Sequence, residues 1–97
     1  MAFEIVPKVI DISHHNKVLS FADIYNAGIR GVIHKASEGA TFVDKTHAKR
    51  KKDARWAGLL WASYHFADNS NVKNQVSNFL RAADPDDNTL LALDWEE

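Results

Sequence analysis

"LLWASYHFADNSNVKNQVSNFLRAADPDDNTLLALDWE" (residues 59–96) changes its period twice, and those changes identify the kind of fold. Its first nine residues, 59–67, are aromatic or apolar on both faces of an extended chain, which suits a strand covered from both sides. The next stretch, "NSNVKNQVSNFLRAAD" (69–84), places Val72, Val76, Phe79, Leu80 and Ala83 on one face of a helix. The polar turn "DPDDN" then leads into "TLLALDWE" (89–96), again an apolar strand. Strand, helix and strand in this order predict a βαβ unit, with two parallel strands and a crossover helix packed on them.

Working outward from that unit, the same alternation continues towards the N-terminus. "KVIDIS" (8–13) reads as a first strand and "GVIHKAS" (31–37) as a second. Between them, "SFADIYNAG" (20–28) has Ser20 as N-cap, an apolar stripe of Phe21, Ile24 and Tyr25, and Gly28 as a stop. "DKTHAKRKKDARWAG" (44–58) reads as a weakly amphipathic helix capped by Asp44 and ended by Gly58. The order is therefore βαβαβαβ with parallel strands, an α/β chain without a linker or internal boundary. Two architectures satisfy it: a doubly wound open sheet, or the first half of a (β/α)8 barrel. Periodicity does not choose between them.

Composition narrows the function. The apolar fraction is 45% and the charged fraction 26%, with a net charge of -1, so the chain as a whole is not an electrostatic nucleic-acid binder. It has no cysteine, which removes disulfides, thiolate metal sites and thiol nucleophiles. "MAFEIVPK" lacks the basic start and long apolar core of a signal peptide, and no apolar run reaches the ~20 residues that cross a bilayer. The basic cluster "HAKRKK" with Arg55 fits a solvated outer helix better than a nucleic-acid site. Trp56 and Trp61 are expected to pack the second helix onto the sheet, Trp95 to pack into the core, and His34 to be a hydrogen-bonded core residue.

Polar residues gather where the four strands end: Asp11 and Ser13, Ser37 and Glu38, His65, and finally Asp94 and Glu96. In parallel α/β architectures that edge is where ligands bind. "SEGATF" has one glycine and no following lysine, so it is not a phosphate loop. In "DWE", Asp94 and Glu96 are two residues apart on a strand, so both face the same side at about 6.6 Å along it, with Trp95 turned away. Two carboxylates so close favour retention of one proton between them, which a leaving oxygen needs from a general acid. That division of labour is used to cleave glycosidic bonds. His14, His15 and His65 with Asp11 and Asp94 offer a competing metal-hydrolase reading, although they lack a recognised ligand spacing.

Four stretches, "VIDISHHN", "GVIHKASEGATFVD", "AGLLWASYHFA" and "LLALDWEE", resemble glycoside hydrolase family 25, the Chalaropsis-type lysozymes common among phage endolysins and bacterial autolysins. The run from Lys35 to Gly39, Asp44 after it, and the terminal D-x-E carry most of the likeness. The resemblance implies a (β/α)8 barrel that hydrolyses the β-1,4 bond between N-acetylmuramic acid and N-acetylglucosamine in peptidoglycan, with no cofactor and no metal. It implies Glu96 as general acid/base, Asp94 as its assistant, Asp11 as a further acid of the site, and Tyr64 and Glu38 as residues lining the sugar cleft. The close D-x-E pair favours assistance by the substrate's own acetamido group. The implied partners are peptidoglycan glycan strands, not nucleic acid or membrane, and the implied place of action is extracellular or at the cell wall. Members of the family have roughly twice this length, so residues 1–97 are expected to be the N-terminal half of a catalytic domain, inactive alone. Such a half would expose its edges, which could self-associate, or it could survive as a non-catalytic cell-wall-binding remnant.

Overall fold

Every crossover in the sheet carries the chain one strand further in the same direction. The computed structural model describes residues 8–18 and 20–95. In chain order the elements are β1 (Lys8–Ile12), α1 (Phe21–Asn26), β2 (Ile29–Glu38), β3 (Phe42–Val43), α2 (His47–Trp56), β4 (Leu60–Ala67), α3 (Val72–Ala83) and β5 (Thr89–Trp95). β1, β2, β4 and β5 are neighbours in that order and pair in parallel. α2 touches both α1 and α3, so the three helices form one layer on one face of the sheet. A doubly wound sheet reverses its strand order and places helices on both faces. This one does neither, and its winding is that of a (β/α) barrel.

The helix-facing side of the sheet is the core. Ile12, Phe21, Val32, Ala54, Leu59 and Trp61 are buried there. Ser20 caps α1 as the sequence suggests, its Oγ accepting from the Asp23 N–H at 3.2 Å. Much of the remaining interior is polar and, apart from His47 Nδ1, its buried side-chain atoms find hydrogen-bond partners among the described residues. His34 is buried with its Nδ1 2.7 Å from the Lys35 carbonyl, and its ring stacks on Trp61. Trp61 Nε1 donates to Ser63 Oγ at 3.0 Å, and His47 Nε2 lies 2.7 Å from the same oxygen.

Several expectations are corrected. Asp44 does not cap α2; Thr46 occupies that position without a side-chain cap bond. Asp44 is buried and instead accepts from the Thr46 N–H, the Thr46 hydroxyl and the His14 N–H at 2.9, 2.6 and 2.8 Å, joining two loops. Trp61 packs as expected, whereas Trp56 is 93% exposed. The apolar stripe of α3 is buried only in part: Val72, Val76 and Leu80 are exposed and Phe79 is half-buried, while Ala83 is buried together with the polar Gln75 and Asn78. Hydrogen bonding accounts for the two buried amides. Asn78 Nδ2 donates to the Gly39 and Phe42 carbonyls, and Gln75 Nε2 donates to those of Asp68 and Ser70, satisfying loop backbone that no strand partner reaches. Val72, Val76 and Phe79, with Leu93 and Trp95 of β5, line an open groove of about 240 Å³, so Trp95 is half-exposed rather than in the core.

The basic residues of α2 are more than solvated charge. Arg50 donates to the Ser13 and Asn16 carbonyls, and Lys51 to those of Ala83 and Asp84 at the end of α3. Arg55 holds Asp86 and Thr89 in the turn before β5. A cation at the carboxyl end of α3 also opposes the helix dipole.

The buried histidines make stability depend on pH. Burial, reinforced by His34 and Lys51, lowers the His47 pKa from 6.5 to about 4. Burial also lowers that of His34, against the hydrogen bond to Lys35. Above pH 6.5 these rings are neutral in both states. Below it the unfolded chain binds protons that the folded chain refuses, so stability falls as pH drops towards 4, by at most about 1.4 kcal/mol per pH unit from His47, with His34 acting in the same direction. Asp44 continues the loss: burial pushes its pKa up, but the Thr46 and His14 hydrogen bonds prevail and hold it at about 2, so its contribution disappears as pH falls below 3.8. Urea unfolding should therefore give a clearly lower midpoint at pH 5 than at pH 7. Equal midpoints would mean that the histidines titrate freely in the folded chain.

Candidate active site

The strand register sorts the polar residues of the sheet onto two faces. Along β4, Trp61, Ser63 and His65 point to the helices, and Ala62, Tyr64 and Phe66 point to the open side. β5 pairs Ala92 with Tyr64 and Asp94 with Phe66, so Asp94 is on the open side, and Leu91, Leu93 and Trp95 are on the other. β1 pairs Ile12 with the buried His34, which puts Asp11 on the open side with Ile33. Asp11, Tyr64 and Asp94 therefore share one face at the carboxyl edge of three strands.

Glu38 joins them through an irregularity in β2. Strict alternation from Lys35 would send Ser37 to the open face and Glu38 to the helices. The pairing instead steps from Lys35–Tyr64 to Ser37–His65 and Glu38–Phe66, leaving Ala36 as an extra residue. Such a bulge reverses the facing of the residues beyond it. Ser37 Oγ consequently lies 2.7 Å from His65 Nδ1 on the helix side. His65 Nε2 lies 3.0 Å from Gln75 Oε1, which also accepts from the Asp68 N–H. Because that oxygen is an acceptor, Nε2 carries the proton and Ser37 donates to Nδ1. Ser37 and His65, counted from sequence among the polar strand ends, therefore belong to the buried network and not to the open rim.

Lys35, to which the sequence pattern assigns no role, becomes a principal feature of the rim. Its ammonium is ion-paired with Glu38 and lies 5.1 and 5.4 Å from the ring centroids of Phe42 and Phe66. The cation is nearly buried, and these aromatic faces and one carboxylate compensate its desolvation. β3, absent from the sequence reading, supplies Phe42 by pairing antiparallel with the end of β2. Gly39, at the turn between them, has φ +58°, a left-handed backbone conformation that favours glycine.

The electrostatics of this rim are acidic. Burial pushes the Tyr64 phenol up to about 12, and Asp11, Asp94, Asp44 and Glu38 add to the shift in that order. Tyr64 thus keeps its proton and offers a neutral hydrogen-bond donor among four carboxylates. Glu96 lies outside the described residues. His14 is bound to Asp44 at 3.1 Å, and among the described residues no three His, Asp or Glu side chains form a cluster able to hold a metal ion. His65, on the opposite face, is separated from the acids with which the metal reading grouped it.

Comparison with known proteins agrees with this geometry. A family 25 lysozyme from Aspergillus fumigatus is 35% identical, with a TM-score of 0.79 over 90% of this chain and 44% of its own. A muramidase from Trichobolus zukalii is 33% identical, with a TM-score of 0.82 over 91% of this chain and 45% of its own. A family 25 glycosyl hydrolase from Bacillus anthracis, at 22% identity, shares the fold with a TM-score of 0.85 over 91% of this chain and 42% of its own. The chain thus spans less than half the length of each of these structures. No curated protein sequence matches it significantly. The model of glycosyl hydrolases family 25 matches residues 10–97, and with the parallel winding and the acidic strand ends it establishes that the chain belongs to that family.

Proposed function

We propose that residues 1–97 are the N-terminal half of a lysozyme-type catalytic domain that cleaves peptidoglycan between N-acetylmuramic acid and N-acetylglucosamine. The observation that carries this reading is the convergence of Asp11, Glu38 and Asp94 around Tyr64 at one sheet edge, in a chain of family 25. The solved relatives called muramidase and lysozyme supply the substrate class. Glu96 serves as general acid/base, a role carried over from the resemblance of the terminal D-x-E to family 25. Asp94 orients the substrate's acetamido group or stabilises the positive charge that develops as the glycosidic bond lengthens. Asp11 adds negative potential, Tyr64 donates to a sugar oxygen, and Glu38, steadied by Lys35, borders the cleft. The site of action is the cell wall, outside the cytoplasm.

The open face bears on activity. Val9, Leu60 and Leu90, below the acids, are exposed, and Leu90 reaches 73%. Among the described residues β1 and β5 each have one neighbour in the sheet and present an unpaired backbone edge. An apolar face of this kind requires a cover. We expect the 97-residue chain alone to be inactive and to self-associate through these edges, β1 of one copy beside β5 of another. Sedimentation velocity should give a mass above that of the monomer, returning towards it in Leu90→Glu. A monomeric chain at micromolar concentration would end the self-association reading. Binding to purified cell walls without release of reducing ends, unaffected by Glu96→Gln, would favour a non-catalytic wall-binding protein on the same fold.

A further inference from the structure

The turn that follows β1 is held from two sides by segments distant in sequence. It closes on itself first: the Asn16 N–H donates to the Ser13 carbonyl at 3.0 Å, and the Ser13 N–H to Asn16 Oδ1 at 2.9 Å. Arg50 of α2 then donates to the carbonyls of the same two residues, at 2.9 and 2.7 Å. From the segment between β3 and α2, Asp44 accepts the His14 N–H at 2.8 Å and lies 3.1 Å from His14 Nδ1. Asp44 is itself tied to the sheet, its N–H donating to the carbonyl of Ala36, the bulge residue of β2.

His14 is the residue that this turn presents to the rim. It lies just past the end of β1, three residues beyond Asp11, and its ring centroid is 5.6 Å from that of Phe42. Phe42 pairs with Glu38 and so shares its face of the sheet, close to the Lys35 ammonium. The His14 side chain is 25% exposed, whereas that of Asp44 is fully buried. The protonation pattern follows from this partner. Burial raises the Asp44 pKa, but the Thr46 and His14 hydrogen bonds hold it at about 2, so the carboxylate only accepts. Nδ1 of His14 therefore carries a proton. In the neutral ring Nε2 is then a bare acceptor, and it makes no hydrogen bond among the described residues.

Asp44 does not need the ring for its own satisfaction, because it already accepts from the His14 N–H and from both Thr46 donors. The ring contact serves His14. It selects one tautomer and one orientation for a side chain whose other nitrogen is free beside the acids. We propose that His14 is a further substrate-contacting residue of the rim, its Nε2 accepting a hydrogen bond from a hydroxyl of the glycan, with Asp44 as its positioning residue. The identity of the glycan rests on the lysozyme reading above. The presentation of Nε2 rests on the turn alone.

Two amides separate the halves of the imidazole. Asn keeps a donor for Asp44 and has nothing at the Nε2 position, whereas the longer Gln brings its carbonyl there. In a protein that carries residues 8–97 and hydrolyses peptidoglycan, His14→Ala and His14→Asn should both raise KM about three- to tenfold with kcat little changed. His14→Gln should recover part of that loss. A purely structural His14 gives the opposite order, with His14→Asn like the parent in KM. The second arm needs no hydrolysis. Nitrogen-15 NMR of any protein carrying residues 8–97, in mildly alkaline buffer, should show the His14 proton on Nδ1. The Nε2 resonance should move on titration with chitotriose. Absence of cleavage by the parent would end the lysozyme reading and leave the NMR arm to decide the role of His14. A proton on Nε2, a stationary Nε2 resonance, or a parental KM in His14→Asn overturns the proposal.

Discussion

Glu96→Gln should lower the release of reducing ends from purified peptidoglycan by about 10³-fold in any protein that carries residues 8–97 and hydrolyses this polymer. The amide keeps the shape of the side chain but cannot deliver a proton to the leaving oxygen, so the loss should fall on kcat with KM little changed. Asp94→Asn should cost about 10²-fold, because it removes charge stabilisation and leaves the acid in place. A substrate with a good leaving group needs little protonation. It should restore much of the Glu96→Gln rate and none of the Asp94→Asn rate. Full activity of Glu96→Gln on peptidoglycan would refute the assignment of the acid. Chelators should have no effect on the parent, and loss of activity restored by zinc would bring back the metal reading. These outcomes also separate the two acids, which the D-x-E spacing alone treats as a pair.

Trp61→Ala should destabilise the fold by about 3–5 kcal/mol, a large share of the ~5–15 kcal/mol that holds a domain together. Trp61 is 2% exposed, stacks on His34 and meets His47 edge-on, both with ring centroids 5.5 Å away. Truncation empties the centre of the helix–sheet interface and also deprives Ser63 of the Nε1 donor. At roughly 4–8 °C per kcal/mol for a chain of this size, thermal unfolding should drop by more than about 12 °C. Trp56→Ala provides the contrast: its side chain is in solvent, and the change should stay within about 0.5 kcal/mol. The two tryptophans flank Gly58, and their sequence positions alone give both the same expectation of packing. Equal effects of the two substitutions would contradict the burial described for them.

The range of each interaction separates the features legible in the chain from those that required the fold. The main alternation of strands and helices, the Ser20 cap and the acids at the strand ends depend on neighbours within a few residues and are legible in the chain, whereas the short β3 and the Thr46 start of α2 are not. The D-x-E spacing places Asp94 on the open face because alternation along a strand is a local rule, and β5 obeys it. Three other features were decided by partners distant in sequence. The choice of a barrel-type winding over a doubly wound sheet needed the strand order and the common face of the helices, which no single segment encodes. The facing of Glu38 needed the bulge at Ala36, where β2 gains one residue against β4, so that Ser37 turns to His65 and Glu38 to Lys35. The burial of Gln75 and Asn78 on α3 needed the loop carbonyls that they satisfy, because unpaired buried backbone is costly. Local sequence thus determined the elements and the chemistry at their ends. Tertiary structure decided the facing of Ser37, Glu38, Gln75 and Asn78, because their strand pairing and hydrogen bonds join segments distant in sequence.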